Sequence, residues 1–179
     1  MDDKDLLNLF REGKKEIAFG LIVKKYGERI YWHIRKMVIS HEDADDLTQN
    51  TLVKAWHALP DFREESRLYT WLYRISTNEV LTFLKRKRFK NILSLNDVSR
   101  QIENTLEADS FFNGDEVQKA LYKAILKLPE KQRIVFNMRY FEEMKYEEMS
   151  EILGTSVGAL KASYHHAHQK IEEAMEGLL

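Results

Sequence analysis

Between Tyr69 and Lys90 the sequence reads YTWLYRISTNEVLTFLKRKRFK, aromatic rings followed by cations. Rings stack on unpaired bases, and cations hold the phosphates beside them. In a helix, Trp71, Leu72, Ile75, Val80 and Leu84 form the packing side, while Tyr69, Tyr73, Arg74 and Asn78 fall on wetter sides. Lys85, Arg86, Lys87, Arg88 and Lys90 make the far end cationic. The pattern suits a single-stranded or opening nucleic acid. The plainer alternative is a packed amphipathic helix with a solvated basic end.

A second pattern lies at KYEEMSEILGTSVGALKASYHHAHQKIEEAM. A short helix carrying Tyr146, Met149, Ile152 and Leu153 is followed by Gly154, suited to a left-handed C-cap, and by Ser156, a good N-cap. Short helix, glycine-containing turn and second helix form the helix-turn-helix pattern, whose second helix enters the major groove. Its outward positions near the start are Ser156, Gly158, Ala159, Lys161, Ala162, His165 and His166. Small residues there allow close backbone approach, and Lys161 suits phosphate or guanine. A helical hairpin inside a bundle is the alternative.

A third group, Asp45, Asp46, Gln49, Asn50 and Lys54, forms the polar face of the helix DADDLTQNTLVKAWHAL. It is either simply solvated or a docking face for a basic partner surface. His165, His166 and His168 invite a metal reading, but no nearby acid or cysteine completes a ligand set. No glycine-rich phosphate loop, nucleophile elbow or zinc-protease motif is present. The expectation is no metal, no cofactor, no small-molecule substrate and no catalysis.

The elements that must position these groups are helical throughout. Of 179 residues, 44% are hydrophobic and 32% charged, with 7 Gly and only 2 Pro, a composition for long helices around a core. Leu6, Leu7, Leu9 and Phe10 predict a short helix. Ala18, Phe19, Ile22, Tyr26, Ile30, Ile34 and Met37 predict a longer one. Ser40 starts a third, facing Ala44, Leu47, Thr51, Leu52, Ala55 and Trp56 inward until Pro60 stops it. Either Ser66 or Thr70 begins the fourth, after the charged loop around Phe62. Periodicity returns at Asp115, with Val117, Leu121, Ala124, Ile125 and Leu128, then Pro129 at a first helical position, then Ile134, Val135, Met138 and Phe141. The last helix is expected to bury Val157, Leu160, Tyr164, Ala167, Ile171, Ala174 and Met175. The predicted fold is all-α: two small helical domains, residues 1–91 and 115–179, joined by a flexible linker over 92–114.

Charge is uneven behind a net of −1: residues 1–91 hold 18 Lys/Arg against 14 Asp/Glu, and residues 115–179 hold 9 against 11. Without cysteine there are no disulfides. The charged amino terminus lacks a signal-peptide core, so the cytoplasm is the expected location.

Taken together, the series DADDLTQNTLVKAW, then F-R-x-x-S-x-x-Y-T-W-L-Y-R-I-x-x-N, then the basic helix end resembles region 2 of an extracytoplasmic-function sigma factor. LPEKQRIVFNMRYFEEMKYEEMSEILGTSVGALKASYHHAHQKI resembles region 4 of the same class. The resemblance spans about residues 15–90 and 115–175. It implies a protein that binds core RNA polymerase and promoter DNA, with an anti-sigma factor as a further partner. It assigns Asp45, Asp46, Gln49, Asn50 and Lys54 to the polymerase clamp. Phe62, Arg63, Ser66, Trp71, Tyr73, Arg74 and Asn78 fall to the opened minus-10 strand, with Lys85, Arg86, Lys87 and Arg88 near its backbone. Residues Ser156 to His166 fall to the minus-35 element. The last helix departs from the family: Gly158-Ala159-Leu160-Lys161-Ala162-Ser163, then His166-Ala167-His168, stand where hydroxyls and arginines are usual. Fewer cations there imply weaker phosphate contact, and the imidazoles make pH-sensitive binding an expectation. A helix-turn-helix regulator acting on duplex DNA without polymerase, or a sigma-like module that sequesters a partner, are the alternatives. The first of these leaves the aromatic-basic helix and the acidic face of the first half unexplained.

Overall fold

The computed structural model describes residues 1–90, 104, 109 and 115–176. Among them are eight helices and no strand: α1 (Asp3–Arg11), α2 (Lys15–Val38), α3 (His41–Ala58), α4 (Leu68–Lys90), α5 (Glu116–Leu126), α6 (Glu130–Tyr140), α7 (Tyr146–Leu153) and α8 (Val157–Met175). The chain divides into two compact units, Met1–Leu84 and Lys85–Leu179. The expected linker over 92–114 lies, apart from residues 104 and 109, outside the described set.

In the first unit the starts of α1 and α3 and the end of α3 have local causes. Asp2 opens α1 with a reciprocal capping box: its carboxylate accepts from Asp5 N at 2.8 Å, and Asp5 accepts from Asp2 N at 3.2 Å. Asp3 then clasps α1 to α2, accepting from Lys25 Nζ at 2.7 Å and from the Tyr26 hydroxyl at 2.6 Å. Burial, then the Asp3 carboxylate, pushes the Tyr26 hydroxyl up to about 12. Ser40 caps α3 by accepting from Asp43 N. Thr48 and Thr51, both buried, donate back to the carbonyls of Ala44 and Leu47 at 2.7 Å each, so α3 buries hydroxyls without leaving them unsatisfied. Pro60 stops α3, and Leu59–Asp61 tightens into a 3-10 turn. Neither Ser66 nor Thr70 caps α4. The Arg67 carbonyl accepts its first bond, from Trp71 N at 3.0 Å, and Thr70 is buried within the first turn. Burial of Leu68 and Leu72 fixes where this helix begins.

The second unit gathers on α8, which packs against α5, α6 and α7. Asp115 caps α5 by accepting from Val117 N and Gln118 N. Pro129 is the cap of α6 rather than its first residue; its carbonyl accepts from Arg133 N at 2.9 Å. Phe136, almost fully buried, stacks on Tyr140 at 5.0 Å and on Tyr164 of α8 at 5.7 Å. Leu160, Ala167 and Ile171 seat α8 on this base. Val117 is 48% exposed, and Ala174 is exposed too, each near an end of its helix.

Gly154 ends α7 at φ 63°, with open space where a side chain would stand. Gly154→Ala therefore adds backbone strain alone, about 1–2 kcal/mol of lost stability. All three tryptophans lie in the first unit. The loss is expected in the helical circular-dichroism melt, with the tryptophan fluorescence transition left in place.

Candidate nucleic-acid interface

Two facing i, i+4 ladders set the orientation of α4. On α2 they are Arg29 and His33; on α4, Tyr69, Tyr73 and Thr77. The Arg29 guanidinium lies 4.5 Å from the Tyr69 ring centre and donates to its hydroxyl at 3.2 Å. Tyr73 donates to the Arg29 carbonyl at 3.1 Å. The His33 ring sits 4.7 Å from the Tyr73 ring and shares a 3.0 Å hydrogen bond with Thr77 Oγ1. His33, Tyr73 and Thr77 are all buried.

This ladder corrects one expectation. Tyr73 is not on a wet side of α4; its relative exposure is 0%. Its ring is occupied by Tyr69 and His33, and its hydroxyl by the α2 backbone. In this conformation it supports the interface and offers no ring face to a base. The sequence missed it because the partners lie about forty residues upstream.

With that side buried, Trp71, Arg74, Asn78 and Lys85 follow one another along the opposite face by helical spacing. Trp71 is half-buried, and its ring stands 4.9 Å from that of Phe62, tilted by 39°. Phe62 in turn is fixed by its N–H, which donates to the Leu59 carbonyl at 3.1 Å. Ser66 is half-buried and Arg63 exposed. Phe62 and Trp71 together form an aromatic ledge, and Arg63 and Ser66 lie in the chain segment between them. Asn78 is exposed one helical stretch further on. Arg74 is half-buried, and among the described residues its Nε has no hydrogen-bond partner. Lys85, Arg86 and Lys87 are exposed; Arg88 lies on the same helix, its side chain outside the described set.

On α3, Asp45, Asp46, Gln49 and Asn50 are all exposed. Lys54 is exposed but engaged: it forms an ion pair with the half-buried Glu79 of α4. Its charge is therefore partly used in holding α3 to α4. Val53, 56% exposed, adds an apolar element to this polar face that the sequence reading passed over.

In the second unit, Ser156 Oγ accepts from Ala159 N at 3.3 Å and opens α8. Ser156, Gly158, Ala159, Lys161, Ala162, His165 and His166 are all exposed. The Lys161 ammonium stands 5.8 Å from the Tyr146 ring centre, and the Arg139 guanidinium stands 5.1 Å from it. Tyr146 thus holds two cations beside the start of α8, a feature no local motif announced. His168 Nδ1 lies 3.4 Å from Glu172. Among the described residues, no group of three or more His, Cys, Asp or Glu side chains is placed to hold a metal ion. Among them, too, no helix is long and apolar enough to cross a membrane.

The chain matches the family model for sigma-70 region 2 over residues 22–90 and that for sigma-70, region 4 over residues 118–171. It is 30% identical to the RNA polymerase sigma-H factor of Pseudomonas aeruginosa, covering 99% of this chain and 95% of that one. It is 27% identical to the ECF RNA polymerase sigma-E factor of Haemophilus influenzae, over 100% and 98%. Among solved structures, CnrH in complex with the cytosolic domain of CnrY has the same fold, with a TM-score of 0.70 and 23% identity over 98% of this chain and 97% of that one. The sigma factor RpoE in complex with the anti-sigma factor NepR from Bartonella quintana gives 0.67 at 21% identity, over 88% and 96%.

Tyr73→Phe removes one part-buried hydrogen bond and leaves its carbonyl partner behind. It is expected to lower the stability of the first unit by about 1 kcal/mol, read as a shift in the tryptophan-monitored urea midpoint with an unchanged slope. A fall in single-strand affinity at constant stability would instead mean that Tyr73 contacts DNA.

Proposed function

The chain belongs to the extracytoplasmic-function sigma factors, and from that membership we propose how its surfaces divide the work. A sigma factor binds core RNA polymerase, directs it to promoters and promotes the start of transcription, and this is the chain's function. In our reading, residues 1–91 act as region 2, 92–114 as a linker, and 115–179 as region 4. The protein acts in the cytoplasm and carries out no bond chemistry of its own.

The observation that carries the assignment within region 2 is the Phe62–Trp71 ledge, on one helical face with exposed Asn78 and the cations that follow. Unstacking a promoter base costs about a few kcal/mol. Stacking on an aromatic side chain returns about 1–3 kcal/mol per base. Arg63, Ser66, Arg74 and Asn78 supply polar contacts, and Lys85, Arg86, Lys87 and Arg88 the phosphate field. These interactions exist only once the strand is open, so they favour the open complex over the closed one. Tyr73 serves here as the support that turns the ledge outward.

The exposed Asp45, Asp46, Gln49 and Asn50, with Lys54 beside them, form the face offered to core polymerase. The start of α8, from Ser156 to His166, reads the minus-35 element. Its small side chains permit close approach, while Lys161, kept near Tyr146, supplies a positioned charge. The sigma factor RpoE of Bartonella quintana has been solved in complex with the anti-sigma factor NepR; we propose that this chain too has an anti-sigma factor.

Purified chain added to core enzyme should give specific transcripts that core alone does not; equal output from both would sink the reading. Charge reversal by Asp45→Arg with Asp46→Arg should weaken core binding by at least about tenfold, with duplex binding by α8 unchanged. Trp71→Ala should reduce open-complex formation while closed-complex recruitment persists; equal loss of both would contradict the ledge.

A further inference from the structure

The loop between the 3-10 turn and α4 is held at two points. One is the Phe62 ring on Trp71. The other is an ion pair across 53 residues of sequence, from the Arg11 guanidinium to the Glu64 carboxylate. Glu64 sits at φ 58°, one of three non-glycine residues with positive φ among those described. The others are Ile39, buried at the end of α2 with its N–H bonded to the Arg35 carbonyl, and Glu143, between α6 and α7. A glutamate has no intrinsic reason to adopt left-handed backbone. Something outside the loop has to favour it.

Arg11 is placed to do so because α1 is itself anchored. Its start is clasped to α2 through Asp3, Lys25 and Tyr26. Its end is seated by buried Phe10, whose ring meets Trp56 at 6.0 Å, and Trp56 meets Phe19 of α2 at 5.2 Å. Arg11 is the last residue of that helix. Its reach to Glu64 therefore connects the loop to a fixed part of the core.

We infer that Arg11 is a positioning residue for base reading: by holding Glu64, it keeps the Phe62–Ser66 loop in its reading conformation. The inference rests on the assignment of that loop to the minus-10 strand. Both side chains are largely exposed, so the pair adds little to global stability. Its effect falls on the loop's conformer populations, where a small bias changes how often Phe62 and Ser66 are correctly presented. Selectivity should respond more than folding.

The test uses the full-length chain with core enzyme on a promoter mapped from its own transcripts, alongside single-base variants of the minus-10 segment. The readout is the ratio of open-complex formation on parent over variant DNA. Arg11→Ala and Arg11→Glu should reduce that ratio by about three- to fivefold, with core affinity and minus-35 duplex binding unchanged. The exchanged pair, Arg11→Glu with Glu64→Arg, should restore the ratio. Phe62→Ala is the control for the loop itself. If Phe62→Ala lowers the ratio but the Arg11 variants do not, or the exchanged pair fails to restore it, the positioning role is overturned and the reading of the loop survives. If Phe62→Ala leaves the ratio unchanged, the reading of the loop fails and the role of Arg11 falls with it. A drop in melting temperature with an unaltered ratio would mark the ion pair as structural only, which also overturns the inference.

Discussion

The rotation of α4 about its own axis is the constraint on which the candidate nucleic-acid face depends. A helix offers each side chain a direction fixed by its position in the turn, so placing one residue places all the others. Here the fixing is done by the Arg29–Tyr69 contact, the Tyr73 bond to the Arg29 carbonyl, and the His33–Thr77 pair. Apolar packing alone tolerates some rotation. Buried polar partners do not, because a turned helix leaves each of them unsatisfied at about 1–3 kcal/mol per group. With Tyr73 and Thr77 committed to α2, Trp71 and Asn78 have one place to be. The aromatic ledge is thus a consequence of what lies beneath it.

The second unit solves a different problem with a similar device. In the proposed minus-35 reading the start of α8 has to be exposed and slim, and Gly158, Ala159 and Ala162 there are small and exposed. The same helix is held by its other face, where Leu160, Ala167 and Ile171 are buried and Tyr164 stacks on Phe136. The exposed and the stabilising residues therefore alternate along one stretch and occupy separate faces. Gly154 and Ser156 set the turn from which α8 begins.

How far the sequence discloses this depends on how far apart the interacting residues are. Helical periodicity located α2 and α3, because burial of Ile22, Ile30, Ile34, Ala44 and Ala55 follows a local repeat. Ser40, Gly154 and Ser156 were legible for the same reason: a cap acts within a few residues of itself. Tyr73 was not legible, since its hydroxyl partner is 44 residues away and a tyrosine serves equally in a core or on a base. Ser66 and Thr70 are good caps by type, yet burial of Leu68 and Leu72 set the start of α4 instead. Lys54 looked like one more member of an outward polar face; only its pairing with Glu79 gives it a second task. The candidate surface residues were visible as types, whereas the contacts that aim them were not.

Under the proposed division of work, the charge distribution accounts for both units acting within one chain. Residues 115–179 carry two more acids than cations, so the α8 surface gains little from phosphate neutralisation and counterion release. Residues 1–91 carry four more cations than acids, but the aromatic ledge has no stacking partner until a duplex opens. Each unit alone is thus a weak reader of closed DNA, for opposite reasons. Joined, a contact by one raises the effective concentration of the other at the same site, which multiplies affinity without adding a contact. Neither partial match then suffices, and discrimination between promoter and other DNA exceeds what either surface provides. A more basic α8 would strengthen every duplex contact alike and would lessen that dependence on the second surface.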